Sequence, residues 1–234
     1  MNRKEHGQPL RTCLTAHFRE RRRAEKDKPR RGELPFITIS RETGAGGQSL
    51  ARAILAEFER HPGEPSLQGW SSFDQELCET IVSDPELNVS LTELVTEDYR
   101  TKAEDFVSVL LGKSFQEEVQ KKISVTLREL ALVGKAILVG RGGSCITHDL
   151  APGVHIRLVA PRDVRVQRMV ELFSISEEEA ARRVDQQDRS RAKMLKSRFK
   201  RDIDDPLHYD AIWNTDRVSL EVLARCVLEM IRER

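Results

Sequence analysis

Short apolar stretches alternate with longer stretches of helical periodicity along the chain after residue 33. The apolar stretches predict five strands, the inner ones apolar on both faces as in buried parallel sheets, at residues 35–40, 70–74, 136–140, 154–159 and 210–214. The periodic stretches predict helices, the clearest at about residues 47–60, 115–133, 162–173, 176–199 and 217–232. This alternation predicts an α/β fold with a five-stranded, mostly parallel, doubly wound sheet, whose ligand lies at the carboxyl ends of the strands.

Serine residues mark the start of the last two predicted helices. Ser176 followed by Glu179 has the spacing of a capping box, and Ser219 lies near the start of the last apolar repeat. Both hydroxyls are therefore predicted to satisfy N–H groups at a helix N-terminus.

The first predicted strand leads into a glycine-rich stretch, SRETGAGGQSL (residues 40–50), and then into a helix. Gly44, Gly46 and Gly47 can adopt positive φ, so successive backbone N–H groups can converge on an anion at the start of that helix. A phosphate-binding loop is one interpretation of this pattern. A tight turn that only lets the strand and helix pack closely is the other.

The stretch departs from the Walker pattern of phosphate-binding loops. Arg41 stands at the position of the first glycine, Gly47 at that of the lysine, and Gln48 at that of the hydroxyl residue, with Ser49 one position late. The missing lysine matters because a cation on the transferring oxygens lowers the reaction barrier substantially. Arg41 is the candidate replacement, since a guanidinium carries a permanent charge and grips two oxygens; the alternative is an ordinary salt bridge with Glu42 or another acidic residue.

Further cations follow the later strands. The stretch AILVGRGGSCI places Arg141 in a second glycine turn, at the same edge of the sheet as the first loop. Arg165 and Arg168 lie three residues apart on one face of the next helix, which is either part of a site or a basic surface. Residues 182–201 then carry nine Lys or Arg before DIDDP. Such a run is typical of a solvated face or of an arm that closes over phosphates.

From residue 34 to its carboxyl terminus the chain resembles the cytidylate kinase-like branch of the P-loop nucleoside monophosphate kinases. The resemblance depends on the order and spacing of six motifs: FITISRETGAGGQSLA, SSFDQEL, AILVGRGGSCI, VHIRLVAPRDVRVQRM, DQQDRSR and DDPLHYDAIWNT. It implies a P-loop fold over residues 34–234, with a helical acceptor-binding insertion at about residues 75–134 and a lid at about residues 182–205. The residues before 34 lie outside the match.

The resemblance also implies roles for individual residues. The loop that wraps the donor phosphates matches Gly44, Ala45, Gly46, Gly47, Gln48 and Ser49, chiefly through backbone N–H groups. The arginine that contacts the phosphate of the acceptor matches Arg141. The acidic residue that follows it in typical members is Gly142 here, so one nucleotide contact is missing.

The arm motif of the family resembles Asp188, Arg189 and Arg191, whose aspartate and final arginine touch the acceptor nucleotide. Arg165 and Arg168 match the positions that approach the transferred phosphoryl group. Phosphoryl transfer needs in-line positioning and charge stabilisation more than a covalent participant, so arginines and backbone N–H groups can do most of the work. With Arg41, these arginines form the expected catalytic set.

ATP as phosphoryl donor and Mg²⁺ as cofactor are implied by the same resemblance. The third strand ends in Gly140 and not in an aspartate, so the protein ligand of the metal is open. Ser49 and Asp74 are the candidates, as oxygen ligands suit Mg²⁺. Asp74 could equally cap the helix that follows it.

The first 33 residues form a basic extension with 11 Lys or Arg against 5 Asp or Glu, although the whole chain carries a net charge of only +1. A solvated helix or a partly disordered tail is the common meaning of such a run, and binding to nucleic acid is the alternative. The sequence has no secretory signal and no membrane-spanning stretch, and its four cysteines are scattered, at 13, 78, 145 and 226. These features predict a cytoplasmic protein with reduced thiols that serve packing.

Three classes of function follow. The leading hypothesis is ATP-dependent phosphoryl transfer to a nucleoside monophosphate, with CMP or dCMP favoured by the resemblance. The second is a nucleotide-binding sensor or interaction protein with weak or no catalysis, because the loop lysine is absent. In the third, the basic extension delivers the domain to RNA or DNA.

Overall fold

The structure is a computed structural model, and the residues it describes are 34–83, 103–104, 106–107, 117–140 and 142–234. The basic extension, Arg141 and the middle of the predicted insertion lie outside the described residues.

Five strands form one fully parallel sheet in the order β2-β3-β1-β4-β5. Their bounds are β1 Phe36–Arg41, β2 Ser71–Phe73, β3 Ala136–Val139, β4 Gly153–Val159 and β5 Ala211–Asn214. The predicted α/β class with a five-stranded sheet is confirmed, and the sheet has no antiparallel strand among the described residues. The central strand, β1, pairs with β3 and β4, so the stretches after these three strands meet at one edge of the sheet.

Seven α-helices surround the sheet in the described part of the chain. Their bounds are α1 Gly47–Glu59, α2 Gln75–Ser83, α3 Glu117–Val133, α4 Gly143–Ile146, α5 Arg162–Phe173, α6 Glu177–Phe199 and α7 Leu220–Arg232. None of them is long and apolar enough to cross a bilayer. Helices α2 and α3 lie at the two ends of the predicted insertion.

The serine caps are present at the predicted positions. Ser176 accepts a hydrogen bond from the N–H of Glu179, and Ser219 accepts one from Val222. The last helix therefore begins at residue 220 and not at 217, because residues 215–217 form a turn closed by Asn214, whose side-chain oxygen accepts the N–H of Asp216.

Apolar side chains alternate along the central strand and fill both sides of the sheet. Ile37 and Ile39 face a layer that contains α1 and α7, while Phe36 faces α3, α4 and the end of α6. Fully burying one such side chain stabilises the fold by roughly 1.5–3 kcal/mol. The two layers make the sheet doubly wound and leave its carboxyl edge open for a ligand.

Two of the three cysteines in the described part of the chain have the buried positions expected for a packing role. Cys78 and Cys145 are buried, and burial raises the pKa of the Cys145 thiol, which keeps it protonated and unreactive. Cys226 is exposed, and Cys13 lies outside the described residues.

A buried arginine ties α3 to the turn that contains α4. Arg128 is 6% exposed, and its Nη1 donates to the carbonyl of Ile146 at 2.7 Å. Both carboxylate oxygens of Asp149 accept from its two terminal nitrogens, at 2.7 and 2.6 Å. The ring of Phe106 covers the guanidinium, with the ring centroid 3.9 Å from Cζ. This anchor fixes the second glycine turn, which precedes α4.

We expect the free energy of unfolding to fall as the pH is lowered, because Asp149 becomes protonated. Partial burial raises its pKa, but the hydrogen bonds and charge of Arg128 outweigh burial and hold the pKa of Asp149 below its usual value. The stabilisation is therefore present above the unfolded-state pKa of about 4 and is lost as pH falls through the lower folded-state pKa. In urea titrations from neutral to acid pH, the wild-type chain should lose more unfolding free energy than Asp149→Asn. Equal losses would show that the pair does not contribute through ionisation.

Candidate active site

Among the described residues, two large cavities open at the carboxyl edge of the sheet, beside a smaller one of about 170 Å³ that contains Asp74. The first, which we call the loop cavity, has a volume of about 850 Å³ and is lined by residues 41–49, the end of α5, Thr215 and Leu220. The second, the turn cavity, has a volume of about 600 Å³ and lies between the ends of β1 and β3, the second glycine turn and α6. Arg41, Gln187 and Arg191 line both, so these three residues form a shared wall.

The glycine-rich stretch forms a left-handed turn before α1. Gly44 and Gly46 have φ of 81° and 87°, a region that favours glycine. A Cβ on Gly44 would lie 2.6 Å from the carbonyl oxygen of Arg165, so the loop also packs tightly against α5. Gly46 is the N-cap of α1, and no side chain caps this helix. The N–H groups of the first turn are therefore free for an anion at the positive end of the helix dipole, as a phosphate-binding loop requires.

The side chain of Arg41 lies between the two glycine turns. A Cβ on Gly47 would lie 3.1 Å from Cγ of Arg41, and one on Gly140 would overlap its Nη1. Arg41 therefore occupies the space beside position 47, where the lysine of the Walker pattern would stand. Glu42, the proposed salt-bridge partner, accepts from the N–H of Ala160 at 3.1 Å and lies 3.3 Å from Arg165.

The carboxylate of Asp188 joins α6 to the glycine loop. Its Oδ1 accepts from the backbone N–H of Thr43 at 2.8 Å and from Nη1 of Arg191 at 2.8 Å, and its Oδ2 accepts from Nη1 of Arg165 at 2.7 Å. The Thr43 hydroxyl also lies 2.7 Å from Nη1 of Arg191. These protein groups saturate Asp188, so in this arrangement it positions Arg191 and the loop. Arg191 is itself mostly enclosed, and burial lowers the pKa of its guanidinium.

The two arginines of α5 have different surroundings. Arg165 is 7% exposed and donates to the carbonyls of Ala160 and Thr43 as well as to Asp188, so the basic-surface interpretation is wrong for this residue. Arg168 lines the loop cavity and donates to the hydroxyl and carbonyl of Thr215 at 2.9 and 2.8 Å. Of this pair, only Arg168 borders a cavity.

The remaining predicted residues are scattered. Arg189 is exposed on α6 and lines neither cavity, and Arg141 lies outside the described residues. Ala45, Gln48 and Ser49 line the loop cavity as expected.

The two metal candidates differ in how well they suit Mg²⁺. Ser49 Oγ accepts from Arg52 at 3.4 Å, and a guanidinium beside the hydroxyl disfavours a cation there. Asp74 accepts from the amide of Gln48 at 2.8 Å and caps α2 through the N–H of Leu77 at 3.0 Å. The described residues contain no cluster of three or more His, Cys, Asp or Glu that could hold a metal. A carboxylate with a neighbouring amide oxygen nevertheless fits an ion that keeps waters and phosphates as its other ligands.

Two neighbouring residues were not predicted from the sequence. Thr43 contacts Asp188 and Arg191, and Gln187 belongs to the shared wall. The position of Thr43 directly before the first loop glycine is the one sequence signal that could have pointed to it.

A parallel sheet with a glycine loop between its central strand and α1 defines the class of P-loop kinase-like proteins. The chain belongs to the cytidylate kinase-like family, whose model matches residues 36–217. No curated protein sequence matches it.

Solved structures resemble the chain at low sequence identity. An uncharacterized protein from Eubacterium ventriosum ATCC 27560 has a TM-score of 0.65 and 17% identity, over 86% of this chain and 100% of that one. Shikimate kinase from Bacteroides thetaiotaomicron has a TM-score of 0.47 and 13% identity, over 85% of this chain and 98% of that one. The first likeness bears on the fold alone.

We expect Asp188→Ala to destabilise the chain strongly, because it leaves Arg165 buried without its closest carboxylate. Breaking a buried ion pair typically costs about 3 kcal/mol of unfolding free energy. The matched control on the same helix is Asp185→Ala, which breaks an exposed pair with Arg162 and should cost much less. Urea unfolding of both variants tests this, and similar losses would contradict the positioning role of Asp188.

Proposed function

We propose that the chain transfers a phosphoryl group from ATP in the loop cavity to a nucleoside monophosphate in the turn cavity. The observation that carries this proposal is the wall that the two cavities share, since it contains two arginines, Arg41 and Arg191. Membership of a kinase-like family supports nucleotide-dependent phosphotransfer in general. Cations placed between two ligand-sized cavities can stabilise the negative charge of a phosphoryl group that passes from one bound ligand to the other.

The donor phosphates would lie against residues 44–49, where the N–H groups at the start of α1 face no capping side chain. Arg168 adds a cation on the α5 side of the same cavity. Leu172 and Phe173 line the cavity and are 72% and 51% exposed, which is unusual for large apolar side chains. They offer the flat apolar surface on which the base of ATP would rest.

The chemistry assigned to the protein is charge stabilisation. Arg41 and Arg191 would contact the equatorial oxygens of the phosphoryl group as it passes between the cavities, where low solvent access strengthens their interaction. Asp188 holds Arg191 in place for this contact. Bound Mg²⁺, held by Asp74 and the amide oxygen of Gln48, would neutralise further charge on the donor phosphates.

The turn cavity, which is the acceptor site of this proposal, suits a ligand whose charged group is anionic and whose remainder is neutral. Among the described residues that line it there is no carboxylate, and its polar side chains include Ser144, Gln186 and Ser190. A Cβ on Gly142 would lie 2.7 Å from the ring of Phe199, so the acidic side chain of typical family members has no room here. We propose CMP or dCMP as the first acceptors to test, with base recognition by the amide and hydroxyl groups.

Three segments keep the roles that the family resemblance suggests, as part of the proposal. Residues 75–134 would close over the acceptor base, and residues 182–205 would act as a lid that moves when both nucleotides bind. The basic residues 1–33 would stay outside the catalytic domain formed by residues 34–234. ATP, Mg²⁺ and small nucleotides are the ligands of this proposal, and a nucleic acid contact through residues 1–33 is the less favoured addition.

A catalytically weak nucleotide-binding protein is the second candidate. Gly47 at the lysine position and Gly142 at the acidic position favour it, since each removes a contact that active family members make. A coupled assay with ATP and a panel of nucleoside monophosphates, beside calorimetric titration of ATP, separates the two candidates. Binding without turnover of any acceptor would support the second.

We expect Arg41→Gln to lower kcat by about 100-fold or more, because the lost charge acts on the transition state. The unfolding free energy should fall far less than this loss of activity implies, since Arg41 borders the two cavities at the open edge of the sheet. Arg60→Gln is the control, because Arg60 is exposed, pairs with Glu57 and lines neither cavity. Parallel losses of activity and stability in Arg41→Gln would assign Arg41 a structural role instead.

A further inference from the structure

A buried arginine near the turn cavity has a donor group with no hydrogen-bond partner among the described residues. Arg157 of β4 is 4% exposed, and its Nη1 has no hydrogen-bond partner among the described residues. Its Nη2 donates to Oδ1 of Asp204 at 2.6 Å. A buried donor of a charged group without a partner is costly and rare in native proteins. Arg157 belongs to the motif VHIRLVAPRDVRVQRM, but the family resemblance gave it no role in the site.

Arg157 lies directly behind one wall of the turn cavity. It pairs across the sheet with Ser40, which lines that cavity. Tyr209 stands between them: its ring centroid is 5.8 Å from Cζ of Arg157, and its hydroxyl donates to the carbonyl of Ile203, another lining residue, at 3.0 Å. Burial is the main reason that the pKa of Arg191 is lowered, and the charges of Arg165 and Arg157 lower it further. Arg157 is therefore close enough to interact electrostatically with Arg191 in the shared wall.

The carboxylate that accepts from Arg157 belongs to a surface segment. The side chain of Asp204 is 76% exposed, whereas its partner is buried. Its segment begins at Lys200, which ends α6 with a left-handed φ of 55°, and continues to the short helical turn Pro206–His208. The exposed carboxylate is well solvated by water once it leaves, whereas the buried guanidinium needs another anion in its place. A ligand phosphate could supply that anion.

We propose that Arg157 is an anion-binding residue of the turn cavity, and that Asp204 occupies its guanidinium until the phosphate of a ligand in that cavity displaces the carboxylate. The guanidinium would then use both terminal nitrogens, as in a bidentate contact with phosphate oxygens. Ile203 and Asp204 must move outward for this contact, together with the ring of Tyr209, whose hydroxyl is bonded to Ile203. The left-handed bend at Lys200 is the point from which their segment can pivot. The inference rests on the proposed function in one respect, since it takes the turn cavity as the acceptor site.

Calorimetric titration of the full chain with inorganic phosphate, CMP and cytidine, in the absence of ATP, tests this inference. Arg157→Gln should weaken CMP binding about tenfold or more, the size expected for a lost hydrogen bond to a charged group. Asp204→Asn should strengthen the binding of CMP and phosphate, because the competing carboxylate is gone. Cytidine, which has no phosphate, should bind equally to all variants. If the affinity for inorganic phosphate depends on Arg157 but the affinity for CMP does not, the residue binds free phosphate. That outcome would overturn the proposed contact with the acceptor.

The pair Arg232 and Glu229 of α7, which lines neither cavity, supplies matched controls, Arg232→Gln and Glu229→Gln, which should not change CMP affinity. If Arg157→Gln does not fold, Asp204→Asn and Asp204→Ala decide the question, since both should tighten CMP binding. Unchanged affinities in these variants, or no binding of CMP and phosphate to the wild-type chain, would overturn the inference.

The two proposals fail differently. If Arg157 governs phosphate affinity but no acceptor is phosphorylated when ATP is added, the anion site stands and the proposed reaction falls. If turnover is normal and Arg157→Gln leaves the acceptor KM and CMP affinity unchanged, the reaction stands and the role of Arg157 falls.

Discussion

The carboxylate of Asp188 holds the glycine loop to α5 and α6, two helices more than 100 residues later in the chain. It accepts from the glycine loop through Thr43, from α5 through Arg165, and from its own helix through Arg191. Removing this one group would leave a buried guanidinium without its nearest counter-charge and would free the loop from α6. Both cavities depend on this contact, because the loop lines one of them and α6 lines both.

Arg41 occupies the space beside the position of the missing loop lysine. A side chain at position 47 would lie close to the stem of Arg41, and a side chain at position 140 would overlap its guanidinium. The cation therefore reaches this region from the end of β1 and not from the start of α1. A planar guanidinium there can span both glycine turns, whereas a lysine ammonium is a compact point charge.

Periodicity along the chain was sufficient to predict the fold, because each strand and helix shows its buried face in local residue order. The strand predicted at 35–40 is found at Phe36–Arg41, and the glycine turn lies where positive φ is needed. The surroundings of single side chains were harder to predict. Helical spacing places Arg165 and Arg168 on one face of the helix. How buried each side chain is depends on loop residues more than 40 positions away, such as Thr43 and Thr215. Pairs such as Gln48 with Asp74 likewise arise only when the sheet brings two strand ends together.

Helix α6 touches both glycine turns with one rigid body of 23 residues. Near its middle Asp188 holds the first turn, and at its end Phe199 packs against Gly142 of the second. A ligand that tilts this helix from one cavity necessarily changes the shape of the other, so the free energies of binding at the two sites are linked. Because such linkage is reciprocal, each ligand must alter the affinity for its partner by the same factor. The contacts of this single helix with both turns would thus set the size of the coupling between the two ligands.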